Sequence, residues 1–509
     1  MSPTHPRPPF SLLATIGLLN LIDFLNSGMI LFAAGPIMGE IGTSPEEFSL
    51  VAACYACVAV TMISKQRWLV ERLGWRRFVL FSLAMFVLGC LICANSNAFL
   101  PFLCGRVVMA LGGGTFMTSG RVAVQLIPPS PYRFTGIKYY ASGLAIGLLF
   151  APGISAWAVS NDSFGMVFLL LAALALVTGV FATLSLPSDL VPRELRSQSH
   201  PILLMAIVSG SFLLLYSLQR AQYDFYGNTV LLLAGGSAGL FALYYAVRAI
   251  LRHERPLLAF RELRDRRFIS GIGLFSFCYM VYSANSYMLA LLLQKALGFT
   301  WQRIGDIQTF GLSSTLLVWG GMVWIIPKRP GAKKFFSIGF GALALFGWQL
   351  SRLNENADLW RDVLPAILAF GVFIIAAIAT TAMQTFAEVQ HHEAMLSHAT
   401  QIKNMCAQFS LALGTAGAAL LAQWRLAEHY SVLAERFYSG SPALTESVSA
   451  LGGALAPGGG QQTAALASVQ LGLLLNQQAS LLACTDYFGL IALVGGGATI
   501  FMLAQRVMR

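Results

Sequence analysis

Two opposite charges sit deep inside apolar sequence, Asp23 and Arg106. At a rise of about 1.5 Å per residue, Asp23 lies about 18 Å along its helix from one end, and Arg106 about 12 Å along its helix from the other. Those depths coincide near the middle of a hydrocarbon core about 30 Å thick. A full charge there is costly, so it usually faces a cavity or an opposite charge. A carboxylate beside a cation that can change partners is the smallest device that loads a proton in one conformation and releases it in another. The plainer alternatives are a static Asp23–Arg106 pair and a purely structural Arg106. A second group is Tyr279, Tyr282, Asn285 and Tyr287, with Met280 and Met288 nearby. Aromatic, thioether and a few polar groups suit a large amphipathic organic substrate, with Tyr282 and Asn285 as cavity residues. They suit ordinary helix or lipid contacts equally well.

Other side chains that could do chemistry have simpler readings. Cys54 and Cys57, and Cys90 and Cys93, are i,i+3 pairs that could form a metal or redox site if their faces met. Cysteine is also a small apolar packing residue in membrane helices, and we expect no metal site. Asp306 and Asp486 fall near helix ends, where caps and mouth residues are common. Lys138 is placed to snorkel to the interface. His391, His392 and Glu393 read as a solvated loop as readily as a metal or pH-sensing site.

The elements that must position these residues are fourteen apolar stretches, near 11–38, 47–64, 77–95, 98–120, 134–158, 164–186, 201–218, 228–250, 268–293, 303–326, 335–352, 362–386, 396–424 and 484–505. Most are long enough to cross a bilayer as helices, which gives an all-α polytopic membrane protein. Hydrophobic residues make up 56% of the 509 and charged residues 11%, which excludes a soluble domain. The net charge of +11 raises nucleic acid as a partner. However, the cations lie in short connections, where they set topology and meet anionic lipid, so the expected partner is the bilayer and not nucleic acid. With the N-terminus and the even-numbered connections on one side, 23 of the 33 Lys and Arg lie there, seven on the other side and three within helices. The positive-inside rule then puts both termini in the cytoplasm of a multi-pass protein of the cell (inner) membrane. Pro3, Pro6, Pro8 and Pro9 precede a first span without a small-residue cleavage site, so that span serves as the insertion signal.

The stretches divide as six, two and six. The expected units are an N-terminal six-helix bundle at 1–200, two additional helices with a cytoplasmic linker at 201–267, and a C-terminal six-helix bundle at 268–509. Such a repeat places a substrate path between the halves near the midplane. Residues 425–483 are rich in Ala, Gly, Ser and Gln and read as a long extracytoplasmic loop, with Ala-Pro-Gly-Gly-Gly at 456–460. Its flanks, 425–437 and 462–482, are either short amphipathic helices at the membrane surface or a flexible tether.

Several motifs resemble those of the major facilitator superfamily. The fifth stretch holds Gly143, Gly147, Ala151-Pro152-Gly153 and Ser155-Ala156, which is similar to that family's antiporter motif, with small residues in place of three glycines. Arg67-Trp-Leu-Val-Glu71-Arg72-Leu-Gly74-Trp-Arg76-Arg77 resembles its cytoplasmic loop. The resemblance implies a charge latch built from Glu71, Arg72, Gly74, Arg76 and Arg77, although Arg67 replaces the opening glycine. Arg106 and Gly112 match the helix-4 motif, where Met109 and Ala110 replace Gln and Gly. Asn404-Met-Cys-Ala407-Gln408-Phe-Ser410 and Gln477-Gln478-Ala479 with Asp486 and Phe488 resemble segments of the fourteen-helix, EmrB-like drug:proton antiporters. In the first of these Ala407 replaces an arginine, and Lys403 supplies a cation one turn away on the same face. Counting back from Pro36 puts Ser27 where the family's helix-1 acid stands; Asp23 lies one turn further in. The chain is thus identified as a divergent member.

The resemblance implies a major facilitator fold with fourteen transmembrane helices. It also implies export of drug-like or toxic amphipathic compounds in exchange for protons, by alternating access. Asp23 and Arg106 would couple the proton, while Lys403, Asn404 and Gln408 would join Tyr282 and Asn285 in the substrate cavity. Gly147, Pro152 and Gly153 would supply a tight, bent contact against leaks. The expected partners are lipid, a small organic substrate, protons and, in a double-membrane bacterium, a periplasmic adaptor protein; no cofactor is expected. The alternatives are proton-coupled uptake or uniport of a metabolite by the same fold, and a membrane scaffold. No nucleotide-binding loop, zincin helix or Gly-x-Ser-x-Gly elbow is present, so the sequence does not read as an enzyme.

Overall fold

The computed structural model describes residues 7–505 apart from 131, 193, 195, 199, 253–256, 264, 330, 390, 391, 438–441 and 456–460. The described residues form helices and no strands. The long ones are α1 (Phe10–Phe32), α2 (Pro45–Leu73), α3 (Trp75–Ala94), α4 (Phe99–Leu126), α5 (Tyr132–Ser160), α6 (Gly165–Ser185), α7 (Pro201–Asp224), α8 (Thr229–Ile250) and α9 (Arg266–Ala296). They continue with α10 (Trp301–Ile325), α11 (Ala332–Leu350), α12 (Leu359–Thr385), α13 (Glu393–Ala434) and α14 (Gln461–Ala504). Twelve helices among the described residues are long and apolar enough to cross a membrane. α10 and α11 are not among those twelve, although they pack within the bundle.

Local sequence explains where several helices begin and turn. At the start of α2, Ser44 accepts from the Glu47 amide at 3.2 Å while the Glu47 carboxylate accepts from the Ser44 amide at 3.1 Å, and Pro45 takes the first helical position. Asp265 caps α9 by accepting from the Arg267 amide at 2.8 Å, and Asp358 caps α12 through the Trp360 and Arg361 amides. Gly74, at φ +80°, is the single residue between α2 and α3, a left-handed conformation that glycine adopts without strain.

The packing repeats with a step of eight helices. α1 lies on α5, α3 on α4 and α6, and α2 on α4; correspondingly α9 lies on α13, α11 on α12 and α14, and α10 on α12. The two sets meet along α5 with α10 and along α2 and α4 with α13. α7 packs beside this seam, against α2 and α13, and α8 packs on α7. α8 leaves Val230, Leu231 and Phe241 exposed, as suits an apolar helix whose outer face meets lipid. The short links between α2 and α3, α4 and α5, and α12 and α13 all lie at one end of the bundle, called here the basic end because Arg67, Arg72, Arg76 and Arg77 are there.

One expectation needs correcting. The segment 425–483 contains no separate surface helices at its flanks, because α13 and α14 run on through them as single helices of 42 and 44 residues. A further helix, Pro442–Leu455, lies between them and packs on α14. The run at 456–460 lies outside the described residues, as does His391.

Candidate functional site

A cavity of about 360 Å³ opens between the two sets of helices in the basic half of the bundle. Its size falls at the lower end of the range of about 300–1,000 Å³ common for small-molecule sites. Arg121 enters it from the end of α4, Arg133 from the first turn of α5 and Lys403 from α13, while Gln384 and Thr400 add neutral polar groups. Phe275 and Tyr279 of α9, Trp319 of α10 and Phe386 beyond α12 form much of the rest. No Asp or Glu lines the cavity among the described residues.

The rings are held in place. Phe275 and Tyr279 stack at 6.0 Å, Trp319 Nε1 donates to Ser142 Oγ at 3.1 Å, and the Tyr140 hydroxyl donates to the Met117 carbonyl at 3.3 Å. Arg133 Nε donates to the Ile127 carbonyl at 2.8 Å, but the two deeper cations are held loosely. Lys403 is only 4% exposed, yet its Nζ has no oxygen partner; it sits 3.8 Å from Met117 Sδ and 5.1 and 5.6 Å from the ring centres of Phe275 and Tyr279. Arg121, 9% exposed, makes no hydrogen bond among the described residues and faces the Phe386 ring at 5.7 Å. The buried Tyr279 hydroxyl also has no partner. Buried polar groups are normally satisfied, so this concentration of unsatisfied ones at a cavity marks a place for a ligand.

Asp23 does not pair with Arg106. Arg106, 5% exposed, donates from Nη1 to Asn26 Oδ1 at 2.9 Å, contacts Met109 Sδ at 3.7 Å and lies 4.1 Å from the Tyr55 ring centre. Asn26 Nδ2 in turn donates to the Tyr55 hydroxyl at 2.8 Å, which closes the group. Asp23 is half-buried and makes neither a hydrogen bond nor an ion pair within 4.0 Å among the described residues. Its electrostatic partner is Lys403, and Tyr140 and Tyr279 also lie within its field.

Other expected residues fall into three places. Asn404 Nδ2 donates to Thr118 Oγ1 at 2.6 Å, and one turn earlier Gln401 Nε2 donates to the Ile63 carbonyl at 2.6 Å, so both tie α13 to the first set of helices. Gln408 is half-buried and lines no described cavity. Asn285 lies outside the cavity, because its Oδ1 accepts from the Tyr487 hydroxyl of α14 at 2.9 Å. Tyr282 lines a smaller cavity of about 110 Å³ in the half away from the basic end, together with Gly28, Pro152 and Phe370.

The fifth-helix segment sits where three helices converge. A Cβ on Gly147 would lie 2.8 Å from Phe24 Cβ of α1, and one on Gly153 would lie 2.6 Å from Thr309 Oγ1 of α10. Pro152 lies inside α5, and Ser155 Oγ donates to the Met29 carbonyl of α1 at 3.2 Å. Small residues thus bring α1, α5 and α10 into backbone contact in the half away from the basic end.

The charged loop is a latch of different construction from the expected one. Arg67 Nε donates to Glu71 Oε1 at 2.7 Å, and Glu71 Oε2 accepts from both the amide and the hydroxyl of Ser197 at 2.7 Å. Arg72 donates to the Ser197 carbonyl at 3.1 Å and lies over the Trp68 ring. The Arg76 amide donates to the Pro187 carbonyl at 3.0 Å, while the Arg76 and Arg77 side chains are exposed. Arg67, the departure from the family pattern, is the ion-pair partner of Glu71. Asp486 accepts from Arg425 Nε at 2.7 Å and contacts His429 Nε2 at 2.7 Å, and Asp306 is exposed. The eight cysteines are free; Cys57 Sγ faces the Val208 carbonyl of α7 and Cys93 Sγ the Phe102 carbonyl of α4, so the two pairs serve different contacts.

Arg121, Arg133, Tyr140 and Trp319 are cavity residues that the sequence reading did not single out. Arg121 falls one residue past the stretch 98–120 and Arg133 one residue before 134–158, so both were counted as loop cations. Two arginines flanking one short connection, each within a turn of an apolar stretch, were the available signal.

A family model described as Major Facilitator Superfamily matches residues 16–415. The chain is 23% identical over 439 residues to the uncharacterized MFS-type transporter YhcA of Bacillus subtilis, covering 86% of this chain and 81% of that protein. It is 25% identical over 399 residues to the putative multidrug resistance protein MdtD of Cronobacter sakazakii, covering 78% and 83%. Among solved structures, it superposes with a TM-score of 0.59 on a bacterial homologue of the human drug peptide transporters PepT1 and PepT2, at 15% identity and 97% of each chain. A structure from work on substrate recognition in proton dependent oligopeptide transporters gives 0.58 at 15% identity, over 97% of this chain and 98% of that one. At that identity the likeness is one of fold.

Proposed function

Because the chain belongs to the Major Facilitator Superfamily of multi-pass membrane transporters, we propose that it exports small amphipathic organic compounds in exchange for protons. In this reading it crosses the cell (inner) membrane fourteen times with the basic end and both termini in the cytoplasm. Residues 1–200 and 268–509 rock against each other about the central cavity, with 201–267 as a flanking pair of helices. The observation that carries the proposal is Asp23, a half-buried carboxylate without a hydrogen-bond partner whose counter-charge is Lys403 across the seam. A proton on Asp23 changes the charge balance between the two halves, which is what couples a proton to their motion. The contact of Gly147, Pro152 and Gly153 with α1 and α10 closes the far side while the cavity faces the cytoplasm. Arg106 holds α4 to α1 through Asn26. The helical extension of α13 and α14 would face the periplasm in a double-membrane bacterium, where an adaptor protein could meet it.

The test is proton movement on adding amphipathic aromatic compounds to purified protein in weakly buffered solution, in wild type and Asp23→Asn. Release in the wild type that vanishes in the variant supports exchange at this carboxylate. Release that survives removes Asp23 from the role, and no proton movement with compounds that bind removes proton coupling altogether.

A second reading, uptake of a compound together with a proton, is favoured by one observation: Asp23 and a bound anion would share Lys403. With its proton off, Asp23 balances Lys403; with it on, Lys403 is an uncompensated cation. A negatively charged compound is then held best by the protonated carrier, an order that suits uptake. Proton uptake on adding compound, in place of release, identifies this case.

A further inference from the structure

We propose that the central cavity takes amphipathic organic anions, with a carboxylate held between Arg121 and Lys403 and an aromatic body packed among Tyr279, Trp319 and Phe386. This rests on reading the cavity as the substrate site, and an anion that shares Lys403 with Asp23 favours the second of the two readings above, proton uptake with the compound. Arg121 and Lys403 line the cavity and no described acid does, so their charge is not balanced from the lining. Asp23 lies outside the lining and answers for one charge at most. Arg121 and Lys403 are each more than nine-tenths buried without an oxygen partner. Leaving two cations in that state is costly in a low-dielectric interior, and the cost falls when an anion arrives with matching hydrogen-bond acceptors.

The groups also divide the work of recognition. The planar guanidinium of Arg121 can offer two parallel donors to one carboxylate, while Lys403 acts as a point charge on the other side. The Tyr279 hydroxyl is a third free group, able to donate to the same head or to a polar substituent. Phe275, stacked on Tyr279, fixes that ring, and Trp319 is fixed by its bond to Ser142. The apolar walls are therefore set before a ligand enters, so an aromatic ligand binds without ordering them. Arg133 stands at the basic end of the same cavity, where its positive potential would draw an anion towards the mouth.

Anionic groups on apolar bodies also occur in lipids, and the experiment separates the two sources. Binding of three ring-matched probes, 2-naphthoate, 2-naphthamide and 2-naphthylmethylamine, is measured by calorimetry on the full-length chain in phosphatidylcholine nanodiscs. The carboxylate is expected to bind at least about tenfold more tightly than the other two. Arg121→Gln and Lys403→Met should each erase that preference, and Arg121→Lys should keep part of it, which separates loss of charge from misfolding. A carboxylate that binds no better than the amide or amine, absence of binding by all three, or a preference that survives both neutralising variants overturns the proposal. So does loss of the preference when phosphatidylglycerol is added to the nanodiscs, which assigns the site to a lipid headgroup. Proton movement is recorded in parallel. Anion selectivity without proton movement sinks the transport-coupling reading alone, and proton movement with selectivity for the amine sinks this inference alone.

Discussion

Arg106 and Lys403 are buried to nearly the same degree, and their surroundings treat them in opposite ways. Arg106 has an oxygen acceptor, a sulfur and an aromatic face, and its acceptor Asn26 is itself tied to Tyr55. Lys403 has a sulfur, two ring faces at longer range and a carboxylate beyond ion-pair distance. A buried charge bonded to a partner that is itself tied down is a fastener, since moving it would break several contacts at once. A buried charge without them can exchange partners at little cost, and that is the property a transport cycle needs. Burial alone therefore does not identify a functional charge; the state of its hydrogen bonds does.

Substitutions can break this contrast, and the largest effect should fall on the unsatisfied side. Lys403→Met is expected to lower affinity for 2-naphthoate at least about tenfold, measured by calorimetry, while thermal stability holds or rises. Unchanged affinity would put Lys403 on the structural side. Asp23→Asn should come next: proton movement on ligand addition should vanish while the probe still binds, which a pH electrode and calorimetry would show together. Arg106→Leu should do the reverse, lowering stability by about 1–3 kcal/mol because Asn26 loses its donor, with probe affinity unchanged. A drop in affinity with stability intact would erase the distinction. Glu71→Gln should cost about 1 kcal/mol by weakening the contacts to Arg67 and Ser197, with no effect on binding. Asp486→Asn, at a partly exposed ion cluster, should leave both melting temperature and affinity within error.

The all-helical, many-span layout was legible because hydrophobic length is a property of the chain itself. Lys403, singled out as a cation one turn from Ala407, lines the cavity. The pairing of Arg106 was not legible. Asp23 and Asn26 differ by three residues, about 4.5 Å along α1, so depth in the membrane could not choose between them. Only the rotation of α1 against α4 does so, and that is set by packing. Asn285 misled for a related reason: a polar residue between tyrosines fits a cavity wall and a helix contact equally, and Tyr487 lies more than two hundred residues away in the chain. Arg121 was missed because a boundary drawn at the end of apolar sequence discards the last turn of the helix, where a long side chain can still reach inward.

The two unbroken helices α13 and α14 have a mechanical meaning. At about 1.5 Å per residue each is about 63–66 Å long, twice the thickness of the hydrocarbon core. Lys403 lies near one end of α13, and the Arg425–Asp486 cluster clamps α13 to α14 towards the other. The pair is thus a lever with its short arm in the cavity. A tilt of the pair about a pivot near Lys403 would therefore move the far tip further than it moves the cavity wall.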